Sequence, residues 1–573
     1  MKILLAAVNA KYIHSNLAVY CLKSYAASKG QEAEIAEYTI NQQTGEVLRD
    51  LYGKNADVVA FSCYIWNIEF IKTVIKDYKK IRPQCEIWLG GPEVSYRAEE
   101  LLTELPEVRG IMIGEGEELF TKLATAYRNA EDAAEIQWKE IPGIVVRENS
   151  GEILTTKPAP PLDFSRLPFP YGDENFSFFN NRIMYYESSR GCPFSCAYCL
   201  SALDKRVRFR DMELVKKELK FFLDRRVPQV KFIDRTFNIN GPRTIELLQF
   251  IKESDNGITN FHFEVAAELL TKEQIELLNS LRPGLVQLEI GVQSTNRETL
   301  VAVNRKTELA ELKKTVAAVR EKNNVHIHLD LIAGLPKEDL ESFKNSFNEV
   351  YNMNPHQLQL GFLKVLSGAP MEGMAVENEM MYRSASPYEV LSTKWLSYDD
   401  IILLKKVEEL VESYYNTGQF AYSMMYLQKF VISPFVLYEK LAAFYEEKDY
   451  AGLKLSRNKR YEILWEFATE KLSVDTVLFS QILFYDYCLR EKPKSRPGFV
   501  QQTQLEKQVL KDIYASFGVK REAEGMHDIE AFSFDPGEAA TVGKAVGKPC
   551  YVLFSYEQRD AMYGGATIRQ IEK

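Results

Sequence analysis

No stretch of this 573-residue sequence approaches the roughly 20 consecutive apolar residues that a spanning helix requires, so no membrane partner is expected. The short apolar start, Met1 to Val8, stops at Asn9 without a cleavage-like site. It reads as a first strand rather than a secretory leader. Positive charge is also short: 71 Lys and Arg stand against 80 Asp and Glu, for a net charge of −9. Phosphate backbones need a basic field, so no general nucleic-acid surface is expected. Repeats and low-complexity tracts are missing. Cysteine is scarce, with eight in the whole chain, and nothing suggests an oxidising compartment. The predicted location is therefore the cytoplasm. Hydrophobic residues at 46% and charged residues at 26% are ordinary for a globular chain, and the length suggests about three or four domains.

What the sequence does have is a concentration of sulfur. Three of the eight cysteines fall in Gly191-Cys192-Pro193-Phe194-Ser195-Cys196-Ala197-Tyr198-Cys199. Iron–sulfur clusters are usually held by four thiolates. Here there are three, with spacers of three and two residues and no fourth nearby, which would leave one iron open to a small molecule. A structural zinc would need a fourth ligand from a distant residue. A disulfide is the other alternative. Cys21, Cys63, Cys85, Cys488 and Cys550 are scattered and read as buried small hydrophobes.

The nine-residue loop resembles the CxxxCxxC signature of the radical SAM superfamily, down to the aromatic Tyr198 before the third cysteine. In that family the open iron chelates the amino and carboxylate groups of S-adenosylmethionine (SAM), which an electron then cleaves to a 5′-deoxyadenosyl radical. The resemblance implies a [4Fe–4S] cluster on Cys192, Cys196 and Cys199 as metal ligands and catalytic centre. It also implies SAM as cofactor and an electron donor such as flavodoxin or ferredoxin.

The fold class expected is multidomain α/β. Residues 1–128 alternate apolar runs with helical stretches. Strands are predicted at Lys2–Val8, Glu34–Tyr38, Val58–Ser62, Glu86–Leu89 and Gly110–Ile113, with helices at Leu17–Lys29 and Ile68–Ile81. That order predicts a doubly wound, Rossmann-like parallel sheet, which binds ligands beyond the carboxyl ends of its strands. Three turns fall there: Ser62-Cys63-Tyr64-Ile65-Trp66-Asn67, Gly90-Gly91-Pro92-Glu93 and Gly114-Glu115-Gly116-Glu117. Together they resemble the cobalamin-binding domain that precedes the catalytic domain in one radical SAM branch. The resemblance makes Ser62, Trp66, Gly90, Gly91, Pro92, Glu93, Gly114, Glu115 and Gly116 candidate cobalamin contacts. The Asp-x-His-x-x-Gly motif that supplies a histidine to cobalt is absent; His14 stands in that region as a possible ligand or a polar loop residue.

A hairpin (Gly143–Arg147 with Glu152–Thr156) and a proline-rich connector occupy 129–180. Residues 181–370 resume the alternation, with strands at Ile183–Ser189, Gln229–Ile233, Asn260–Ala266, Leu285–Ile290, His326–Ile332 and Gln357–Phe362. This fits the partial (β/α)6, TIM-type barrel of the radical SAM core, with chemistry at the carboxyl strand ends. By resemblance, Asp234 stands where the family holds the SAM amino group. Glu289, Gln293 and Ser294 belong to a "GxQS" segment for ribose or carboxylate, and Gly334 to the segment that packs on adenine. Glu264 and Glu268 could reach SAM or substrate. His326 and His328 share a strand face and read as hydrogen-bonded barrel residues with no evident third metal ligand. Residues 371–573, including Ser386-Pro387-Tyr388-Glu389-Val390-Leu391, resemble an uncharacterised, mostly helical C-terminal extension with strand near Pro549–Phe554.

The resemblance as a whole implies a cobalamin-dependent radical SAM methyltransferase acting on an unactivated carbon of an unknown small-molecule or macromolecular substrate. Radical rearrangement or cyclisation without methyl transfer is the enzymatic alternative. A cobalamin or redox sensor is the non-enzymatic one.

Overall fold

The computed structural model describes every residue except 132–134, 173–175, 177–178, 180, 501–504, 520–524 and 573. Part of the connector expected to end at Asn180 lies outside the described residues. The chain forms two compact units. The first comprises residues 1–277, 303–305 and 363–393, and the second 278–302, 306–362 and 394–573.

The first unit opens with a seven-stranded sheet. Its strands are β1 (Ile3–Asn9), β2 (Glu34–Thr39), β3 (Val58–Ser62), β4 (Glu86–Gly90), β5 (Gly110–Met112), β6 (Ile144–Arg147) and β7 (Ile153–Thr155), in the order β2-β1-β3-β4-β5-β6-β7. β1 to β5 run parallel; the expected hairpin, β6 and β7, extends the same sheet antiparallel. β1 and β3 are buried along their whole length because each face carries its own core. Val59, Phe61, Ile71 and Ile87 pack on one side, and Leu5, Trp88, Phe120 and Tyr127 on the other. The indole of Trp88 donates to the Tyr127 hydroxyl at 2.8 Å, so this buried polar pair is satisfied. Asn16 caps the helix Leu17–Ser28 by accepting from the Val19 amide. Strand order reverses between β1 and β3, so the loops after these two strands diverge and leave a crevice between them.

The same unit continues with β8 (Met184–Tyr186), β9 (Ser189–Arg190), β10 (Arg208–Phe209), β11 (Gln229–Phe232) and β12 (Asn260–Val265). β8, β11 and β12 are parallel neighbours. The expected strand Ile183–Ser189 is interrupted after Tyr186, and Ser189–Arg190 pairs instead with β10. The second unit supplies β13 (Val286–Gln293), β14 (His326–Ala333) and β15 (Gln357–Phe362), also parallel. All six strands of the anticipated barrel are thus present.

The rest of the second unit is mainly helical, including Tyr398–Val411, Pro434–Glu447, Arg457–Lys471 and Thr476–Arg490. It closes with an antiparallel sheet of β16 (His527–Phe532), β17 (Cys550–Arg559) and β18 (Ala566–Glu572). Among the described residues no helix is long and apolar enough to cross a membrane.

Candidate functional site

The cysteine loop is built outward from a buried carboxylate. Asp234, 1% exposed, accepts from the Ser188 amide at 2.7 Å, the Ser188 hydroxyl at 2.6 Å and the Ser189 hydroxyl at 2.7 Å. These bonds hold the chain just before the loop. Burial raises its carboxyl above the ordinary value, and the serine donors oppose that shift. The side chain expected to receive the SAM amino group is therefore engaged by its own fold. Removing the acceptor leaves three buried donors unpaired, so Asp234→Ala is expected to cost about 1–3 kcal/mol and to lower iron retention. A thermal melt and an iron assay on the same sample check this.

Gly191 turns the chain at φ +95°, where a Cβ would stand 2.2 Å from the Arg206 carbonyl oxygen. From there the loop is pinned at several points. The Cys192 amide donates to Asp204 O at 3.0 Å, the Ala197 amide to Val303 O at 2.9 Å, and the Met371 amide to Ala197 O at 2.9 Å. Cys192 and Cys196 are 8% and 7% exposed, and Cys199 is half-buried. All eight cysteines are free thiols, so the disulfide alternative falls away. Among the described residues, the only trio of metal-type donors within 4.8 Å of one another is Glu289, His328 and Asp330.

Two neighbours of the thiols were not anticipated from the sequence. The Arg305 guanidinium lies 3.8 Å from Cys196 Sγ and 3.4 Å from the Tyr198 hydroxyl. Burial works against its charge, but Tyr198 and Cys196 hold it above the usual range. The Thr236 hydroxyl lies 3.7 Å from Cys192 Sγ. Residues 109 and 44 positions away from the cysteines they meet carry no local signature of such a role.

Beside the loop the first unit encloses a cavity of about 720 Å³. One wall comes from the sheet turns: Asn16, Ser62, Tyr64, Trp66, Gly90, Gly91, Pro92, Gly114, Glu115 and Gly116 all line it. The opposite wall includes Tyr185, Glu187, Arg190, Gly191, Arg235 and Glu264. Trp66 is held by its indole N–H donating to Val8 O and stacks on Tyr64 at 4.4 Å, yet stays 45% exposed, a flat apolar surface in the wall. Gly91 sits at φ +116°, with an added Cβ 2.4 Å from Cys63 O; Gly114, at φ +87°, faces open space. Backbone can thus approach a bulky ligand closely there. Glu93 does not line the cavity: its carboxylate accepts from the Tyr388 hydroxyl at 2.5 Å. His14 lines it with Nδ1 2.6 Å from the Tyr185 hydroxyl, and burial lowers its pKa, which keeps it neutral.

In the second unit, Gln293 adopts φ +70° at a register shift in the β13–β14 pairing, and its Oε1 is a buried acceptor without a hydrogen bond. Strained non-glycine backbone with an unspent polar atom suits ligand contact. Glu289 and Asp330 share a face with His328, whose Nε2 is 3.0 Å from Asp330. His326 instead stacks on His356. Gly334 sits at φ +92° after β14. Ser294 donates to buried Glu338 at 2.6 Å, as does Ser346 at 2.9 Å. Burial raises Glu338 from its ordinary 4.5 to about 7. Its stabilising contribution is full below about 4.5 and is lost as pH rises through about 7, because the folded chain keeps a proton that the unfolded chain has released. The melting temperature is expected to fall across that window, and Glu338→Gln to flatten part of the fall. Asp486 and Glu530, raised by burial to about 7, contribute in the same direction.

Three family models match the chain in succession: "B12 binding domain" at residues 3–124, "Radical SAM superfamily" at 186–350 and "Protein of unknown function (DUF4080)" at 377–545. Among curated relatives, the 2-(S-pantetheinyl)-carbapenam-3-carboxylate methyltransferase of Streptantibioticus cattleyicolor is 25% identical over 68% of this chain and 61% of its own length. The cobalamin-dependent radical SAM methyltransferase TokK of Streptomyces tokunonensis is 27% identical over 55% and 48%. The chain therefore spans less than two thirds of either relative. Among solved structures, the cobalamin-dependent S-adenosylmethionine radical enzyme OxsB with aqua-cobalamin bound aligns at TM-score 0.58 and 15% identity, over 95% of this chain and 77% of that one. At that identity the likeness is one of fold.

Proposed function

We infer that this chain, which belongs to the radical SAM proteins with a B12-binding domain and a DUF4080 extension, is a cobalamin-dependent methyltransferase acting on an unactivated carbon of a small molecule. The observation that carries this reading is the 720 Å³ cavity of the first unit. Its one wall is made of the turns Ser62–Trp66, Gly90–Pro92 and Gly114–Gly116, and its other wall runs into Gly191 at the start of the cysteine loop.

When bound, a three-thiolate [4Fe–4S] cluster with SAM supplies a carbon-centred radical, and cobalamin supplies a methyl group. The chain's part is to hold and shield them. Cys192, Cys196 and Cys199 would ligate the cluster, with Arg305 offsetting thiolate charge. Gly90, Gly91 and Gly114 would admit the corrin's polar edge to backbone, and Trp66 would lie against its face. Gln293, through its unspent Oε1, is the candidate contact to a SAM hydroxyl or carboxylate, with Glu289 and Gly334 as further candidates. The cavity walls would keep water from the radical.

Anaerobically reconstituted protein, given hydroxocobalamin, reduced flavodoxin and SAM deuterated at its methyl group, is expected to form both 5′-deoxyadenosine and S-adenosylhomocysteine. Candidate small molecules are then screened by mass for the labelled methyl group. Deoxyadenosine alone, with no S-adenosylhomocysteine, would count against methyl transfer.

A further inference from the structure

Between the third sheet turn and the cysteine loop lies a network of charges that neither site requires by itself. Arg190, the residue immediately before Gly191, is half-buried and binds three carboxylates. Its Nη2 is 2.6 Å from Glu117 Oε1 and 2.9 Å from Glu187 Oε2, its Nε is 3.0 Å from Glu187 Oε1, and its Nη1 is 3.5 Å from Glu115 Oε1. The guanidinium also lies over the Phe164 ring at 4.9 Å. Glu115 is bound in turn by Arg208, at 2.5 and 3.0 Å, and accepts from the Leu162 amide at 2.8 Å. Arg208 reaches Asp204 at 3.0 Å, and Asp204 takes the Cys192 amide through its carbonyl oxygen. The circuit is closed: turn Gly114–Glu117, then two arginines, then the start of the cysteine loop at Arg190 and Cys192.

Glu115 and Glu117 flank Gly116, on the wall assigned above to the corrinoid. Glu117 is 5% exposed and Arg190 has three partners, so neither can move without leaving a buried charge uncompensated. A cluster that fixes the cysteine loop therefore also fixes the corrinoid turn, and the reverse holds.

We propose that Arg190 is a positioning residue that couples the two cofactor sites, so that a filled cluster tightens corrinoid binding and a bound corrinoid tightens cluster retention. The proposal rests on the function inferred above. Each cofactor has to order its own loop; with the guanidinium shared, the first to bind orders both, and the second binds a loop already in place. Coupling of this kind is reciprocal, and its usual size is ~5- to 100-fold in affinity.

The test is a titration of the full-length wild-type chain with hydroxocobalamin, with and without a reconstituted cluster, followed by the same pair of titrations on Arg190→Lys and Glu117→Gln. Far-UV circular dichroism on each sample confirms folding. The expected result is a dissociation constant about tenfold lower with the cluster present in wild type. The ratio should move toward one in both variants, since lysine cannot span three carboxylates. A variant that merely loosened the fold would weaken both titrations alike and leave the ratio intact, which would overturn the proposal. So would equal affinities in wild type, a comparison that needs no variant. Hydroxocobalamin binding with a ratio of one leaves the inferred function standing; no binding in either state removes both.

Discussion

Cys196→Ala is expected to lose the iron absorbance and 5′-deoxyadenosine formation together, with bound iron falling from ~4 per chain to near zero. Cys196 is the most informative of the three cysteines because of what stands beside it. Its sulfur faces the Arg305 guanidinium, half-buried and already set between that sulfur and Tyr198. Alanine removes a ligand and, at once, one of the partners of that half-buried guanidinium. A cluster reduced to two protein ligands has no reason to persist. Iron quantitation, the absorbance near 400 nm (about the usual position of sulfur-to-iron charge transfer) and a deoxyadenosine assay read the outcome. Retention of a full cluster in the variant would sink the assignment, as would wild-type protein that carries zinc with four filled positions.

The second large effect is expected at Gly91. Its φ of +116° is hostile to any side chain, and the Cys63 carbonyl oxygen stands 2.4 Å from where a Cβ would be. That oxygen cannot simply withdraw, because the neighbouring Cys63 amide donates to Gly90 O at 2.7 Å and ties the two turns together. Gly91→Ala should therefore separate the turns after β3 and β4 at a cost of about 2 kcal/mol, equivalent to about thirty-fold in an equilibrium constant. Hydroxocobalamin affinity is the readout, and the cluster's iron content is the control. Unchanged affinity would mean that these turns do not hold the corrinoid.

The sequence revealed most where a pattern repeats locally. Val58–Ser62 is legible to the residue because a short β-branched and aromatic run suits a strand covered on both faces, and Ile68–Ile81 because its apolar residues recur at helical spacing. Met184–Tyr186 came out shorter than anticipated. Asp234, 46 positions on, takes the Ser188 amide that a continuing strand would have given to its neighbour. The cysteine triad and the glycine turns were legible for the same local reason. Arg190, Glu117 and Arg305 were not: each does its work on a partner roughly 70 to 110 residues distant, and single charged residues give no sign of their partners. The partner of the Ser294 hydroxyl, Glu338, stands 44 positions on and was equally invisible.

The segment Leu363–Thr393 returns from the second unit's strands to the first unit, and there it touches both halves of the cofactor machinery. The Met371 amide bonds Ala197 O inside the cysteine loop, the Ser386 hydroxyl bonds Ile65 O, and the Tyr388 hydroxyl meets Glu93 beside the glycine pair. Ser386 and Tyr388 fall within the DUF4080 match, which begins at residue 377. The extension is thus no detachable appendage: its opening residues are masonry in the corrinoid half of the protein. A chain stopped at residue 350, where the radical SAM match ends, would lose all three props from the turns and the cysteine loop.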